Sequence, residues 1–224
     1  MSVVFALTPG VPATPSHFRA TNVPSIELFT MCGWFQIDNY ENFFQFIAIE
    51  NGGAGRVTFV EGDAAGQLKL VRSGAGTTEV NYWADAYTGW AFVSAVGTVA
   101  TVAGFYQRLG GAWTASPTIT SLAGANTYLG NVTASFDTDV NGDYKRLAYK
   151  IWNISLTEAE LKAEVWSVEP VKWSGLTFWD HGLIPAACNV DRSGTGGTMT
   201  LAGAPGSSPA TPGLPWRALR AYGY

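Results

Sequence analysis

Four oxygen-bearing side chains alternate along a short polar turn in the second half of the chain. They are Asp137, Asp139, Asn141 and Asp143, and Gly142 beside them allows a sharp bend. Carboxylate and amide oxygens are the ligands that calcium prefers, but the acidic closing ligand of an EF-hand is missing, because Ala148 stands at the twelfth position of the loop. An ordinary solvated β-turn has the same composition. Two interpretations therefore stay open, a calcium site and a plain turn.

Arrangements typical of catalysis are missing from the sequence. It contains neither a Gly-x-Ser-x-Gly nucleophile elbow nor a phosphate-binding glycine loop followed by Lys. Histidine occurs only at His17 and His181, so a catalytic triad or a His-rich metal centre would require two remote segments to meet. We expect a protein that is not an enzyme and that needs no cofactor other than the candidate calcium.

Aromatic residues are the remaining candidates for a binding surface. Tyr82, Trp83, Asp85 and Tyr87 cluster between two strand-like runs, and Trp113 occupies a Gly-rich hairpin tip where a ring is hard to bury against its own sheet. Exposed aromatic rings bind sugars or protein neighbours, so we predict that these five residues contact a ligand or a partner. Trp34 and Trp90 lie within apolar runs and are predicted to be core.

Short strand-like runs separated by Gly-rich breaks would position these residues. The predicted runs are Ile26–Ile37, Phe43–Ile49, Arg56–Glu61, Gln67–Val71, Glu79–Trp83, Gly89–Val96 and Val99–Arg108. Many short strands at a spacing of roughly 8 to 12 residues, with almost no helical periodicity, predict an all-β antiparallel sandwich or barrel. Jelly-roll connectivity is the version that suits a chain of this length.

One short helix is predicted between Thr157 and Ser167. Thr157 and Glu160 have the spacing of a capping box, and Leu156 can pack on Leu161 ahead of it. Leu161 and Val165 share one face of this helix. The residues predicted to face solvent are Glu158, Lys162 and Glu164. Pro170 prevents the helix from continuing far.

The chain reads as one domain preceded by an arm. Residues 1–24 contain Pro9, Pro12, Pro15 and Pro24, which favour an extended arm lying over the domain or over a neighbour. Residues 25–224 are predicted to form the sandwich, with 169–224 as a C-terminal extension that completes it. The N-terminus lacks the basic start and continuous apolar core of a signal peptide, so we expect no export by that route.

Charge is scarce in this sequence. Charged residues make up 13% of the 224 residues, about half of the roughly 25% that is usual. A surface with so few charges has little electrostatic resistance to association, which predicts a homo-oligomer or a subunit bound to other proteins. The net charge of −4 and the lack of any Lys/Arg cluster make nucleic acid an unexpected partner.

Membrane insertion and a disulfide framework are not expected either. The uncharged stretch Ala86–Gln107 alternates large apolar residues with Gly, Ser and Thr, a pattern of buried strands and not of a membrane helix. Cys32 and Cys188 are too few for a disulfide scaffold, and free buried thiols are the default interpretation.

Several blocks of the sequence are similar to those of a known superfamily. They are Phe29–Phe35, Trp90–Val93, Gly104–Gly111, Tyr128–Asn131, Arg146–Asn153 and the helix start Leu156–Leu161, followed in the tail by Leu176–Asp180 and Asp191–Gly197. Through them the chain resembles the laminin-G-like members of the concanavalin A-like lectin/glucanase superfamily, of the kind found in phage and bacterial surface proteins. The resemblance covers about residues 25–168 and implies two facing antiparallel sheets.

The resemblance also frames the functional expectations. The glucanase branch carries carboxylates alternating along one strand as Glu-x-Asp-x-Glu, and that arrangement is absent here. Because a shared fold does not establish a shared function, two roles stay open. One is a structural or decoration subunit of a phage-like virion, in capsid or tail, assembled in the host cytoplasm and displayed on the virion surface. The other is a lectin module that binds cell-surface glycans.

Overall fold

Two antiparallel sheets and one helix make up the described part of the chain. In the computed structural model, backbone is described for residues 2–5, 17–26, 28–37, 44–51, 55–62, 68–73, 78–83, 87–98, 100–120, 128–134, 144–180, 191–194, 198–202 and 206–208. Side chains are described for residues 28–35, 68–70, 87–98, 100–119, 147–180 and 191–194.

The strands divide between a nine-stranded sheet, called sheet I, and a seven-stranded sheet, called sheet II, within these described ranges. Sheet I has the order β10 (Trp113–Ala115), β9 (Thr101–Arg108), β8 (Gly89–Gly97), β3 (Phe29–Ile37), β13 (Tyr144–Trp152), β1 (Ser2–Phe5) and β16 (Gly206–Ser208), with β11 (Ile119–Thr120) on β9 and β14 (Leu176–Asp180) on β13. Sheet II has the order β15 (Thr198–Ala202), β2 (His17–Ile26), β12 (Tyr128–Ala134), β4 (Phe44–Asn51), β5 (Gly55–Gly62), β6 (Leu68–Ser73) and β7 (Thr78–Trp83).

The predicted all-β antiparallel sandwich is confirmed. Strands β4 to β9 begin and end within a few residues of the predicted runs, because Gly-rich turns mark their ends and alternating apolar residues mark their interiors. The first predicted run, Ile26–Ile37, divides into the end of β2 and the whole of β3.

The N-terminal segment supplies strands to both sheets. Residues 2–5 form β1 between β13 and β16, and residues 17–26 form β2 between β12 and β15. The other residues of the predicted arm, including Pro9, Pro12 and Pro15, lie outside the described ranges.

Both faces of sheet I are buried at its central strand, β3. On β3, Met31 and Phe35 point to one face while Cys32 and Trp34 point to the other, and all four are nearly inaccessible. Cys32 and Trp34 belong to a cluster that also contains residues of the helix, so the helix covers their face of sheet I. We call this the helical face.

The helix α1 runs over Glu158–Val165 and has the predicted N-terminus. The Thr157 side chain accepts from the Glu160 backbone N–H, and the Glu160 side chain accepts from the Thr157 backbone N–H, so both halves of the capping box are formed. Leu161 and Val165 are buried as predicted. No candidate for a membrane-spanning helix occurs in the part of the chain that the structure describes.

Candidate functional site

The predicted aromatic group falls partly within the described side chains. Tyr82 and Trp83 end strand β7, where only the backbone is described, and Asp85 lies outside the described residues. Tyr87 and Trp113 are described fully, and both are half-buried.

Tyr87 is fixed by contacts within the chain. Its hydroxyl donates to the Trp90 carbonyl oxygen at 2.7 Å, and the Arg108 guanidinium carbon lies 4.6 Å from its ring centroid. Burial is the main reason why the pKa of Tyr87 is raised above its ordinary value. The tyrosine also occupies the space beside Gly89, where a Cβ would lie 3.0 Å from the hydroxyl oxygen and where φ is +131°. Packing around β8 therefore accounts for the position of Tyr87.

Trp113 lies beyond the hairpin tip, as the first residue of β10. Because β10 pairs with β9 and places Trp113 opposite Gln107, the indole stacks on Phe105 with ring centroids 5.6 Å apart. It also packs on Phe92, at 6.2 Å. The expected difficulty of burying this ring against its own sheet does not arise, since β9 and β8 supply both aromatic neighbours.

The outer side of Trp113 is covered by helix α1. The Lys162 ammonium lies 5.6 Å from the indole centroid. A hydrogen bond from Lys162 is the main reason why the pKa of the Glu158 carboxyl is lowered, and the nearby Trp113 N–H adds to this shift. That N–H is buried and has no hydrogen-bond partner of standard geometry among the described residues.

The structure does not bring Tyr87 and Trp113 onto one surface. Successive side chains of a strand point to opposite faces of its sheet. Trp113 lies on the helical face with Phe92, and so does Gln107, its partner in β9. The next residue of β9, Arg108, therefore points to the other face, and this is the side chain on which Tyr87 stacks. Their part in binding stays a prediction, and so does that of Tyr82, Trp83 and Asp85.

The candidate calcium turn lies outside the described residues. Strand β12 ends at Ala134 and β13 begins at Tyr144, so Asp137, Asp139, Asn141 and Asp143 belong to the connection from sheet II to sheet I. Elsewhere, within the described ranges, no group of three or more His, Cys, Asp or Glu residues could hold a metal. Cys188 also lies outside these ranges, while Cys32 is a free buried thiol whose pKa is raised by burial.

A surface that sequence analysis missed follows helix α1. Among the described residues, the exposed large apolar side chains are Leu28, Leu109, Trp166, Val171 and Trp173. Three of these five belong to residues 165–173, which we call the post-helix segment. Val171 is 56% exposed, Trp173 54% and Trp166 37%.

Three buried tryptophans hold the backbone of the post-helix segment. The indole N–H of Trp34 donates to the Val165 carbonyl at 2.7 Å. Trp179 donates to the Val168 carbonyl at 3.0 Å, and Trp152 donates to the Lys172 carbonyl at 2.7 Å. Because these tryptophans sit in strands β3, β14 and β13, the sheet itself fixes the path of the segment.

A buried ion pair adds to this anchoring. Lys150 Nζ donates to Glu164 Oε2 at 2.6 Å and to the carbonyl oxygens of Ser167 and Glu169 at 2.6 and 3.1 Å. Glu164 Oε1 accepts from the backbone N–H groups of Val171 and Lys172 at 2.9 and 2.8 Å. Both charged side chains are completely buried. All three ammonium protons and both carboxylate oxygens are thus satisfied.

The prediction that Glu164 faces solvent is wrong. Helical spacing alone puts Glu164 next to the buried Val165, but its burial depends on a partner in β13. Leu147 pairs with Trp34 and Lys150 pairs with Cys32, so β13 advances by three residues over a stretch in which β3 advances by only two. This bulge, with Ala148 at φ 54°, turns Lys150 onto the helical face under Glu164.

Each exposed tryptophan of the post-helix segment rests on a buried one. Trp166 packs on Trp34 with centroids 5.6 Å apart, and Trp173 meets Trp179 edge-to-face at 5.7 Å and 85°. The rings are therefore supported from within while their outer surfaces stay accessible. One sequence signal could have revealed them, since two tryptophans flank Pro170 beyond the end of a capped helix, where no strand alternation would bury them.

Comparisons with known proteins identify the fold. No family model matches the chain, and no curated protein matches its sequence. Solved structures do match. A tailspike protein 2 enzymatically active domain from bacteriophage CBA120 is 12% identical, with a TM-score of 0.55, over 81% of this chain and 32% of that chain.

Two further solved structures extend the comparison. The heptameric SAP-like pentraxin of Limulus polyphemus is 13% identical, with a TM-score of 0.50, over 70% of this chain and 77% of that chain. The LG1-3 region of the laminin α2 chain is 10% identical, with a TM-score of 0.48, over 67% of this chain and 30% of that chain. The chain thus spans about a third of the tailspike domain that it matches. The fold is that of the concanavalin A-like lectins and glucanases.

Proposed function

We propose that this concanavalin A-like sandwich is a non-enzymatic structural or decoration subunit of a phage-like virion, in capsid or tail, which acts by protein assembly. The observation that carries this proposal is the post-helix segment, which presents Trp166, Val171 and Trp173 to solvent on a backbone fixed by buried donors. Exposed apolar side chains that are grouped together mark interaction sites more often than chance.

The scarcity of charge supports an assembled state. Only 13% of the residues are charged, so long-range repulsion between copies or between neighbours is weak. Other virion proteins and further copies of the chain are the partners that fit such a surface. Nucleic acid does not fit, because the net charge is −4.

The likeness to a phage tailspike domain supports a virion context. The match covers 81% of this chain, so a sandwich of this fold occurs in a phage tailspike. The fold is therefore compatible with assembly in a host cytoplasm and display on a virion surface. The likeness extends to the fold alone, and the tailspike domain is described as enzymatically active. For this chain we propose a role without catalysis, since the Glu-x-Asp-x-Glu arrangement of the glucanase branch is absent from its sequence.

Labelling of native particles tests the proposal. Antibodies raised against the purified chain would be applied to lysates of the source material and examined by electron microscopy. We expect label at regular positions on capsids or tails. Label confined to soluble material, with bare particles in the same field, would refute a structural role in the virion.

A lectin module for cell-surface glycans is the second candidate. It is favoured by the exposed indole of Trp173, because the apolar face of a sugar ring packs on such a surface. An array of immobilised glycans tests it. Binding that is lost in Trp173→Ala would support the lectin, whereas no binding above background would leave assembly as the function.

A further inference from the structure

Strand β14 has a strand partner on one side only, among the strands that the structure describes. It pairs with the second half of β13, while β1 pairs with the first half and β16 lies beyond β1. β14 is therefore an outer strand of sheet I. A strand at the edge of a sheet presents backbone N–H and C=O groups onto which a strand of another molecule can add.

The composition of β14 favours such an addition. Thr177, Phe178 and Trp179 are residue types that are enriched in strands, and Leu176 before them is also uncharged. Uncharged segments of high β-propensity are prone to pairing between molecules when their edge is accessible. Closure of the outer edge of β14 therefore matters for how this chain associates.

A turn formed by residues 191–193, which we call the edge turn, covers the outer edge of β14. The backbone N–H of Trp179 donates to Asp191 Oδ1 at 3.1 Å, and the Trp179 carbonyl accepts from the Arg192 backbone N–H at 2.9 Å. The N–H and C=O of one residue in an antiparallel strand point to the same side. Both outward groups of Trp179 are thus bonded to the edge turn.

The Ser193 hydroxyl extends this cover along the strand. Its oxygen lies 3.2 Å from the Thr177 carbonyl oxygen and 2.8 Å from Asp191 Oδ2. A hydroxyl has one proton, so it serves one of these acceptors at a time. The edge turn therefore lies within hydrogen-bond distance of three backbone groups of β14, the N–H and C=O of Trp179 and the C=O of Thr177.

The edge turn is held by Asp191 and does not continue as a strand. Asp191 Oδ1 also accepts from the Ser193 backbone N–H at 2.9 Å, which is the local bond of an Asx turn. The carboxylate thus takes the place that a carbonyl of a neighbouring strand would occupy. Gly194 follows with φ +79°, whereas a strand requires negative φ. The edge turn satisfies β14 without offering a regular strand in its place.

We infer that the edge turn blocks the addition of a further strand to sheet I at β14. A strand that pairs there must first displace Asp191 and Ser193 from the backbone groups that they bind. In a purified sample that strand would come from another copy of the chain. The inference goes beyond the proposed function and does not depend on it, because it concerns an edge at which association is prevented.

Hydrogen exchange resolved to the Trp179 amide tests whether Asp191 closes the edge. Asp191→Ala removes the acceptor for the N–H groups of Trp179 and Ser193, whereas the amide oxygen in Asp191→Asn can still accept from both. The Trp179 amide should exchange roughly ten- to a hundredfold faster in Asp191→Ala than in the wild type, because a bond to a charged acceptor is lost. In Asp191→Asn it should stay close to the wild type.

Sedimentation over a concentration series, together with thioflavin T fluorescence, measures the association itself. Folded Asp191→Ala should form larger species than the wild type and should bind the dye, whereas Asp191→Asn should match the wild type. If Asp191→Ala does not fold, Ser193→Ala decides. It keeps the Asp191 bonds to both N–H groups and removes the hydroxyl beside the Thr177 carbonyl, so it should also associate more than the wild type.

Thr98→Ala is the control for the loss of turn bonds in general. The Thr98 hydroxyl oxygen accepts from the backbone N–H groups of Ala100 and Thr101 at 3.3 and 3.0 Å, between β8 and β9, which have partners on both sides. This variant should associate like the wild type. The inference is overturned if the folded edge-turn variants exchange and sediment like the wild type, or if Asp191→Asn or Thr98→Ala associates as strongly as they do.

Discussion

Replacing Lys150 with Met should lower the free energy of unfolding more than a surface substitution of similar size does. The substitution removes the buried cation beside Glu164, 2.6 Å away, and the donor to the Ser167 carbonyl. The carboxylate would stay buried with only two backbone donors. Removal of one partner from a buried ion pair costs about 3–5 kcal/mol. For a chain of this length that corresponds to a fall of roughly 6–20 °C in melting temperature.

A double-mutant cycle separates the ion pair from general damage to the core. The partner change is Glu164→Gln, which leaves Lys150 buried and charged. In Lys150→Met/Glu164→Gln no buried charge remains, and the amide oxygen of Gln can still accept from the backbone N–H groups of Val171 and Lys172. The double variant should therefore be more stable than the sum of the two single losses predicts. Denaturant unfolding followed by tryptophan fluorescence measures all four free energies.

An exposed ion pair provides the matched control. Lys162 and Glu158 are also joined at 2.7 Å, but their side chains are 51% and 49% exposed. Lys162→Met should cost far less than Lys150→Met, because solvent screens exposed pairs. The reasoning is refuted if Lys150→Met costs no more than Lys162→Met, or if the two buried substitutions prove additive.

Three further predictions concern other parts of the molecule. Trp90→Ala should cost about 3–5 kcal/mol as a core truncation, and Trp113→Ala should cost less because its ring is half-buried; equal losses in thermal unfolding would place Trp113 in the core. A calcium site at the Asp137–Asp143 turn predicts that calcium raises the melting temperature of the wild type and not of Asp139→Ala, whereas a plain turn predicts identical melting curves in chelator and in calcium. Hydrogen bonds from Lys172 and then Thr157 lower the pKa of Glu160 from 4.5 to about 2. A lowered carboxyl pKa stabilises the fold above pH 4.5, and this stabilisation is lost as the pH falls towards 2. The melting temperatures of wild type and Glu160→Gln should therefore converge over that range, and a constant difference would contradict the assignment.

The local elements of this fold are encoded within a few residues of sequence. The capping box needs only Thr157 and Glu160, three positions apart, and its two hydrogen bonds form as predicted. Strand interiors are equally local, because apolar residues alternate with polar ones at the start of β6 and form a nearly continuous apolar run in β8. For the same reason Trp34 and Trp90, inside apolar runs, could be predicted to be core, and both are buried.

The candidate surface depends on contacts between residues far apart in the chain. Trp34 binds the Val165 carbonyl across 131 positions, and no periodicity along the sequence reports such a contact. The bulge at Ala148 could not be predicted from the sequence either, because a positive φ is usually adopted by Gly and this position carries Ala. Sequence alone determined the strands, the helix and the class of fold, because hydrophobic patterning and helix capping depend on residues that lie within a few positions of one another. Only the tertiary structure decided that Lys150 and Glu164 are buried together and that Trp166 and Trp173 stay exposed. Burial of a side chain is set by the elements packed over it, and those come from remote parts of the chain.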